Sequence, residues 1–121
     1  MKSVEREEAR KAQQADVLPE VDRLGVNQLV LTARIAEVSP LRYTPAGLPV
    51  LELRLEHESE QQEAGTPRTV KTSVKTIAVG LMAERIGHQA LDSCWLFKGF
   101  LATTRNAKHP VFHLQDFQPN T

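Results

Sequence analysis

Cysteine and aromatic residues are rare in this chain, and long apolar runs are absent from its sequence. Cysteine occurs once, at Cys94, so an internal disulfide framework is excluded and a reducing compartment is favoured. Aromatic residues make up only 5% of the 121 residues. No apolar run approaches the roughly 18 residues that a membrane-spanning helix needs, and residues 1–22 contain no signal-peptide core. We therefore expect a cytoplasmic protein.

The chain also lacks an excess of charge of either sign. Lysine and arginine together number 15, and aspartate and glutamate together also number 15. This balance argues against a protein that coats nucleic acid generally, so any basic surface must be local. The length predicts one domain with a modest core, which a dimer interface would help to stabilise.

Groups that carry catalysis or bind metals are also missing. The histidines lie on different predicted elements at spacings unlike those of metal ligands: His57, His88, His109 and His113. Cys94 stands alone, and no glycine-rich phosphate loop is present. The sequence therefore predicts no enzyme, no cofactor and no metal site.

Composition changes near residue 25. Residues 1–25 are highly charged, contain no aromatic residue and have only a thin apolar stripe, which is too small to hold a helix without a partner. We expect a tail over 1–25 that is disordered or weakly helical, followed by a folded domain over 26–119.

Alternating apolar and polar residues predict strands in this domain. The first runs over 27–38, and Val30, Ala36 and Val38 are expected on its outer face, where they favour a symmetric dimer. The turn that follows contains Pro45 and Gly47 and should expose Arg42 and Tyr43 at its tip. The later predicted elements are a strand over 49–59, a loop over 61–67, a strand over 69–79, a helix over 81–90, a strand over 93–103, a basic loop over 104–110 and a strand over 111–117.

Five strands with one helix between the third and the fourth is the element order of an OB-fold, a small all-β Greek-key barrel. Such a barrel presents its second and third strands and the flanking loops to oligonucleotides.

The residue pattern also resembles a known family. "NQLVL", "PLRYTPAGLP" and "LEHES…QEAG", all within 27–65, are similar to the primosomal replication protein N family, called PriB. "AVGLMAE" and "CWLFKGFL" resemble segments of the related bacterial single-stranded DNA-binding proteins. The resemblance covers about 27–118. It implies a homodimer that binds single-stranded DNA, stimulates the PriA helicase and works with other primosome proteins to reload the replicative helicase at stalled forks.

Single-strand binders combine a positive groove with aromatic faces on which bases stack. The candidate DNA-binding residues lie on the strands and loops that border such a groove: Arg34, Arg42, Tyr43, Lys71, Lys75, Lys98, Phe100, Arg105 and Lys108. Two positions depart from the family pattern, because Lys71 replaces an aromatic residue and Glu58 replaces a basic one. We therefore expect DNA contact that depends more on charge than on stacking.

Two other functions remain open. The acidic stretch over 52–63 and the zero net charge are compatible with a protein-interaction module whose DNA binding is weak or secondary. A general single-stranded DNA-binding protein is less favoured, because no long Gly/Pro-rich linker with an acidic tip follows the predicted barrel.

Overall fold

The computed structural model describes residues 24–120, and in that range the chain forms six strands and one helix. The predicted tail, 1–25, lies almost entirely outside the described residues, and its boundary with the domain stays a prediction. The elements are β1 (Leu29–Val38), β2 (Arg42–Tyr43), β3 (Pro49–Glu63), β4 (Thr66–Val79), α1 (Leu81–Gly87), β5 (Cys94–Ala102) and β6 (Val111–Pro119).

Five of the strands close into a barrel. The sheet order is β1-β5-β6-β4-β3, and β3 pairs again with β1 to complete the circle. The short β2 is added beside the start of β3. All pairings are antiparallel except that of β4 with β6. With α1 placed between β4 and β5, this arrangement is an OB-fold, so the predicted fold class is confirmed. In the described part of the chain no helix is long and apolar enough to cross a membrane.

The core is formed by the inward-facing residues of the alternating strands. Phe97 and Phe112 are fully buried, together with Ile35 and Leu55. α1 contributes Ala83 and Ile86 to the same cluster. These apolar side chains are removed from water by the closed sheet, and burial of this kind is the main favourable term in folding.

The helix is shorter than its apolar spacing predicts. It ends at Gly87 rather than near residue 90, and Ala90 is exposed. The chain turns here because it must return to β1, where the backbone N–H of Asp92 donates to the carbonyl oxygen of Ile35 at 2.8 Å. Asp92 has a positive φ of 67° and lies in the turn before β5.

The prediction of a loop over 61–67 is wrong. β3 and β4 continue as a paired hairpin until Glu63 faces Thr66, and Ala64 and Gly65 alone form the turn. Both have positive φ, as a two-residue type I′ turn requires. Hydrogen-bonded and non-hydrogen-bonded pairs alternate in such a ladder, so Pro67 falls at a position that needs no N–H donor. The polar side chains do not oppose backbone pairing, and they made the segment resemble a loop.

Val38 is 39% exposed, but the register does not place it on the outer face of its strand as predicted. A bulge at Ala36 shifts the register of β1 against β3, because Ile35 faces Leu55 whereas Glu37 faces Arg54. One extra residue reverses the alternation. Val38 therefore faces the inward-pointing Leu53, whereas Glu37 points outward.

Gly99 of β5 occupies a position where no side chain fits. A Cβ atom there would lie 2.0 Å from the carbonyl oxygen of His113 and 2.8 Å from Cε1 of Phe112. The close approach accompanies a bulge in β6, where Lys98 faces Asp116 and Gly99 faces Leu114. A glycine is required here because the two backbones are in direct contact.

We predict that Gly99→Ala lowers the free energy of unfolding by about 2 kcal/mol or more, because the new methyl group forces strand β5 away from β6. Urea denaturation followed by circular dichroism measures the change. Gly87→Ala is the matched control, since its Cβ would lie 3.6 Å from Cδ2 of Leu51, an ordinary contact. If Gly99→Ala is as stable as this control, the described packing of β5 on β6 is incorrect.

Candidate nucleic-acid interface

The outer face of β4 carries two exposed lysines. Thr76 and Ala78 of this strand point into the core and are fully buried, so the strand alternation directs Lys71, Ser73 and Lys75 outward. Neither lysine forms an ion pair within residues 24–120. Lys71 faces Glu58 across the β3–β4 ladder, whereas Lys75 faces Arg54.

The basic loop between β5 and β6 ends close to Lys75. β4 and β6 are parallel, with Thr76 facing Phe112. One residue earlier in each strand, Val111 reaches the level of Lys75, so the loop that precedes Val111 borders the same edge of β4. Arg105 and Lys108 are exposed in this loop. The fold thus places four predicted cationic residues along one side of β4.

The hairpin formed by β2 and β3 borders the opposite end of this face. Tyr43 faces Pro49, and its side chain is 63% exposed. Arg42 lies one residue earlier, with Nη2 4.0 Å from Oε2 of Glu52. The turn is closed by Thr44, which accepts a hydrogen bond from the backbone N–H of Gly47 at 2.8 Å. Arg42 and Tyr43 are exposed as predicted, but they lie on β2 and not at the tip of the turn. Alternation puts Arg42 on the outward side with Glu52 and Tyr43 on the opposite side of the strand.

Phe100 forms a stack with a histidine. Its ring lies 4.9 Å from that of His113, centroid to centroid, with an angle of 13° between the planes. His113 faces Ile77 of β4, so the stack is one strand away from the lysine-bearing face. Phe100 is half-buried, and His113 covers one side of its ring.

Lys98 lies apart from the other predicted site residues. It faces Val30 of β1 and Asp116 of β6, and β6 separates its strand from β4.

Arg34 is close to the lysine-bearing face, but its guanidinium group already has acidic partners. Its Nη1 lies 2.6 Å from Oδ1 of Asp92, and its Nη2 forms an ion pair with Oε2 of Glu56. An open groove of about 650 Å³ lies beside it, between β1 and the β3–β4 hairpin, and Lys71 also lines this groove.

Arg54 is a charged residue of this surface that was not predicted as part of the site. It forms ion pairs with the other carboxylate oxygen of Glu56 and with Glu37, the latter at 3.1 Å. Its Nη1 also donates a hydrogen bond to Oγ of Ser73 at 3.1 Å. The hydrogen bond from Arg54 holds the pKa of the Glu56 carboxyl below its ordinary value. The alternation of β3 indicates that Arg54 points outward. The sequence does not reveal the cross-strand register that places Arg54 beside Lys75.

The arrangement can bind an extended polyanion. Cationic side chains line β4 and the β5–β6 loop, Tyr43 is exposed on β2, and Phe100 is half-buried against His113. Within residues 24–120 no three His, Cys, Asp or Glu side chains are grouped to hold a metal ion. The fold and the surface together define a single-strand-binding OB-fold protein.

Comparison with known proteins identifies the family. Residues 27–116 match the family described as "Another single-strand binding protein family". The replication restart protein PriB of Bordetella pertussis is 44% identical over 91 residues, which cover 74% of this chain and 85% of that protein. PriB of Neisseria gonorrhoeae is 37% identical over 97 residues, 78% of this chain and 96% of its own length. The chain therefore belongs to the PriB family of replication restart proteins, as its sequence motifs predicted.

Solved structures agree with this assignment. A structure of PriB from Ralstonia solanacearum has a TM-score of 0.73 and 33% sequence identity, and it covers 80% of this chain and 100% of that one. A deletion mutant of the single-stranded DNA-binding protein from Thermus aquaticus has a TM-score of 0.64 and 23% sequence identity. The match covers 80% of this chain and 51% of that one. The second similarity supports the fold alone. Membership in this family of binding proteins confirms the prediction that the chain is not an enzyme.

Proposed function

We propose that this protein binds single-stranded DNA in the cytoplasm as an accessory of the replication-restart primosome. The observation that supports this proposal most is the outer face of β4, where Lys71 and Lys75 are exposed and form no ion pair among the described residues. The β5–β6 loop adds Arg105 and Lys108 along the same edge. A local positive surface of this kind allows a protein with no net charge to attract phosphates.

The restart role is supported by the names of the relatives, which are replication restart proteins of several bacteria. The proposed partners are single-stranded DNA, the PriA helicase and other primosome proteins. In this role the protein holds exposed single strands while the helicase works at a stalled fork.

The proposed contact has two physical components. The lysines and the loop cations neutralise phosphates and release counterions, which gives affinity without regard to base sequence. The exposed Tyr43 and the half-buried Phe100 offer ring surface for base stacking, worth about 1–3 kcal/mol per base. Since the aromatic surface is small and β4 has no aromatic residue, the ionic component should dominate.

The ionic component is tested by titrating an oligothymidine with the protein at several salt concentrations. We predict that the double variant Lys71→Ala, Lys75→Ala binds more weakly and flattens the plot of log affinity against log salt, by about 0.7 per lost phosphate contact. Fluorescence anisotropy measures the affinity at each salt concentration, and these affinities give the slope. Exposed lysines contribute little to stability, so the melting temperature should not change.

Two further variants make the same titration specific. Lys98→Ala removes one positive charge on the other side of β6. It should flatten the slope less than removal of either β4 lysine does. Tyr43→Ala should lower the affinity with little change in slope, because stacking releases no ions. If the β4 double variant keeps wild-type affinity and slope, this face does not bind DNA.

Addition of PriA to the same titration separates the proposal from the competing functions. A restart accessory should bind both PriA and DNA. PriA should unwind DNA faster when this protein is present. A protein-interaction module would bind PriA equally well with and without the β4 lysines and stimulate it without DNA contact. A general single-stranded DNA-binding protein would bind DNA with the same affinity whether or not PriA is present.

We also propose that the protein is a symmetric dimer formed through β1. The C-terminal half of β1 pairs with β3, over Arg34–Val38. On that side the backbone of residues 29–33 has no strand partner among the described residues, although the carbonyl oxygen of Thr32 contacts Nδ1 of His57 at 2.6 Å. Val30 in this segment is 48% exposed. An unpaired edge with an exposed apolar side chain favours pairing with a second copy.

Sedimentation at micromolar concentration should therefore report twice the 13.5 kDa chain mass. Val30→Glu should shift the protein to a monomer, because two like charges would face each other near the symmetry axis. Val79→Glu is the matched control at a similarly exposed valine far along the chain on β4, and it should leave the dimer intact. A monomeric wild type, or a dimer unaffected by Val30→Glu, contradicts this interface.

A further inference from the structure

A chain of alternating charges lies across the outer faces of β1 and β3, beside the lysine-bearing face. Arg34 is held between Asp92 and Glu56, and Arg54 is held between Glu56 and Glu37. Glu56 is the shared member, with one carboxylate oxygen on each arginine. Three carboxylates thus surround two guanidinium groups, so this part of the surface offers no net positive charge.

These arginines are otherwise well placed to bind phosphate. Arg54 faces Lys75 across the β3–β4 ladder, and its Nη1 reaches Ser73 on the same strand as that lysine. Arg34 lines the groove that also contains Lys71. A strand of DNA held by Lys71 and Lys75 would pass directly beside both guanidinium groups.

A carboxylate and a phosphate bind a guanidinium group through the same paired N–H donors. Glu56 therefore occupies on each arginine the donors that a DNA phosphate would use. The side chains of Arg34, Arg54 and Glu56 all remain partly exposed to solvent. Ion pairs at such exposure are weak, so a phosphate can compete with the carboxylate but gains less than it would from a free arginine.

We propose that Glu56 is an internal competitor for DNA phosphate, which occupies Arg34 and Arg54 in the free protein and thereby limits its affinity for single-stranded DNA. This inference rests on the proposed function, since it concerns the same face. Glu56 differs from the exposed glutamates of β3, because those glutamates contact neither Arg34 nor Arg54. We therefore expect Glu56 to weaken DNA binding more than another glutamate of the strand would.

The test is the variant Glu56→Gln, titrated with oligothymidine against salt. One regained phosphate contact should increase the affinity about fivefold at 0.1 M salt and steepen the log–log slope by about 0.7. Glu60→Gln is the matched control. It removes the same charge from the same face of β3, but Glu60 has no ion-pair partner within the described residues. Glu60→Gln frees no arginine, so it should leave the slope unchanged and increase the affinity less than Glu56→Gln does.

A second variant guards against a loss of folding in Glu56→Gln. Asp92→Asn releases Arg34 from its other partner, and asparagine tolerates the positive φ at this position. It too should strengthen binding and steepen the slope.

The outcomes separate this inference from the proposed function. If the wild type binds DNA and Glu56→Gln and Asp92→Asn bind no more tightly than Glu60→Gln, the competitor role is wrong and the DNA-binding function stands. If Glu56→Gln binds more tightly with a steeper slope, the competitor role is supported. If neither the wild type nor any variant binds DNA at low salt, both proposals fail.

Discussion

The barrel is closed by β1, whose first half pairs with β5 and whose second half pairs with β3. The bulge at Ala36 makes this double pairing compatible with the twist of the sheet. It also sorts the side chains, since Ile35 and Val38 are directed toward the barrel and Glu37 toward Arg54. The remaining features follow from this closure. Where β1 leaves β3, the rest of the β3–β4 hairpin extends as an arm, and the groove beside Arg34 opens between the two.

Charge on this protein is organised strand by strand. β4 and the β5–β6 loop carry lysines and an arginine that form no ion pair among the described residues, whereas the arginines of β1 and β3 are held by carboxylates. A sequence with equal numbers of acidic and basic residues therefore produces one positive face beside one that is neutralised. Local placement, not net charge, decides the function.

Periodicity predicted most of the fold because burial on one face of each strand imposes it. The inward sets around Leu55 and Phe97 and the outward set of Lys71 and Lys75 are where alternation placed them. Three features depend on backbone geometry that side-chain patterns do not specify: the bulge at Ala36, the two-residue turn at Ala64–Gly65 and the end of α1 at Gly87. The site was predictable as a region for a similar reason. Arg34 and Arg54 acquire their acidic partners through cross-strand register, which no spacing along the chain reveals.

Chemical-shift mapping tests the central claim most directly. In an isotopically labelled sample, addition of a short oligothymidine should perturb the backbone amides of residues 71–75, of the loop around Arg105 and Lys108, and of the turn beside Tyr43. The amides near Lys98 and Val30, on the other side of β6, should change little. Perturbations concentrated near Lys98 and Val30, with none along β4, would contradict the assignment of the β4 face as the DNA-binding surface.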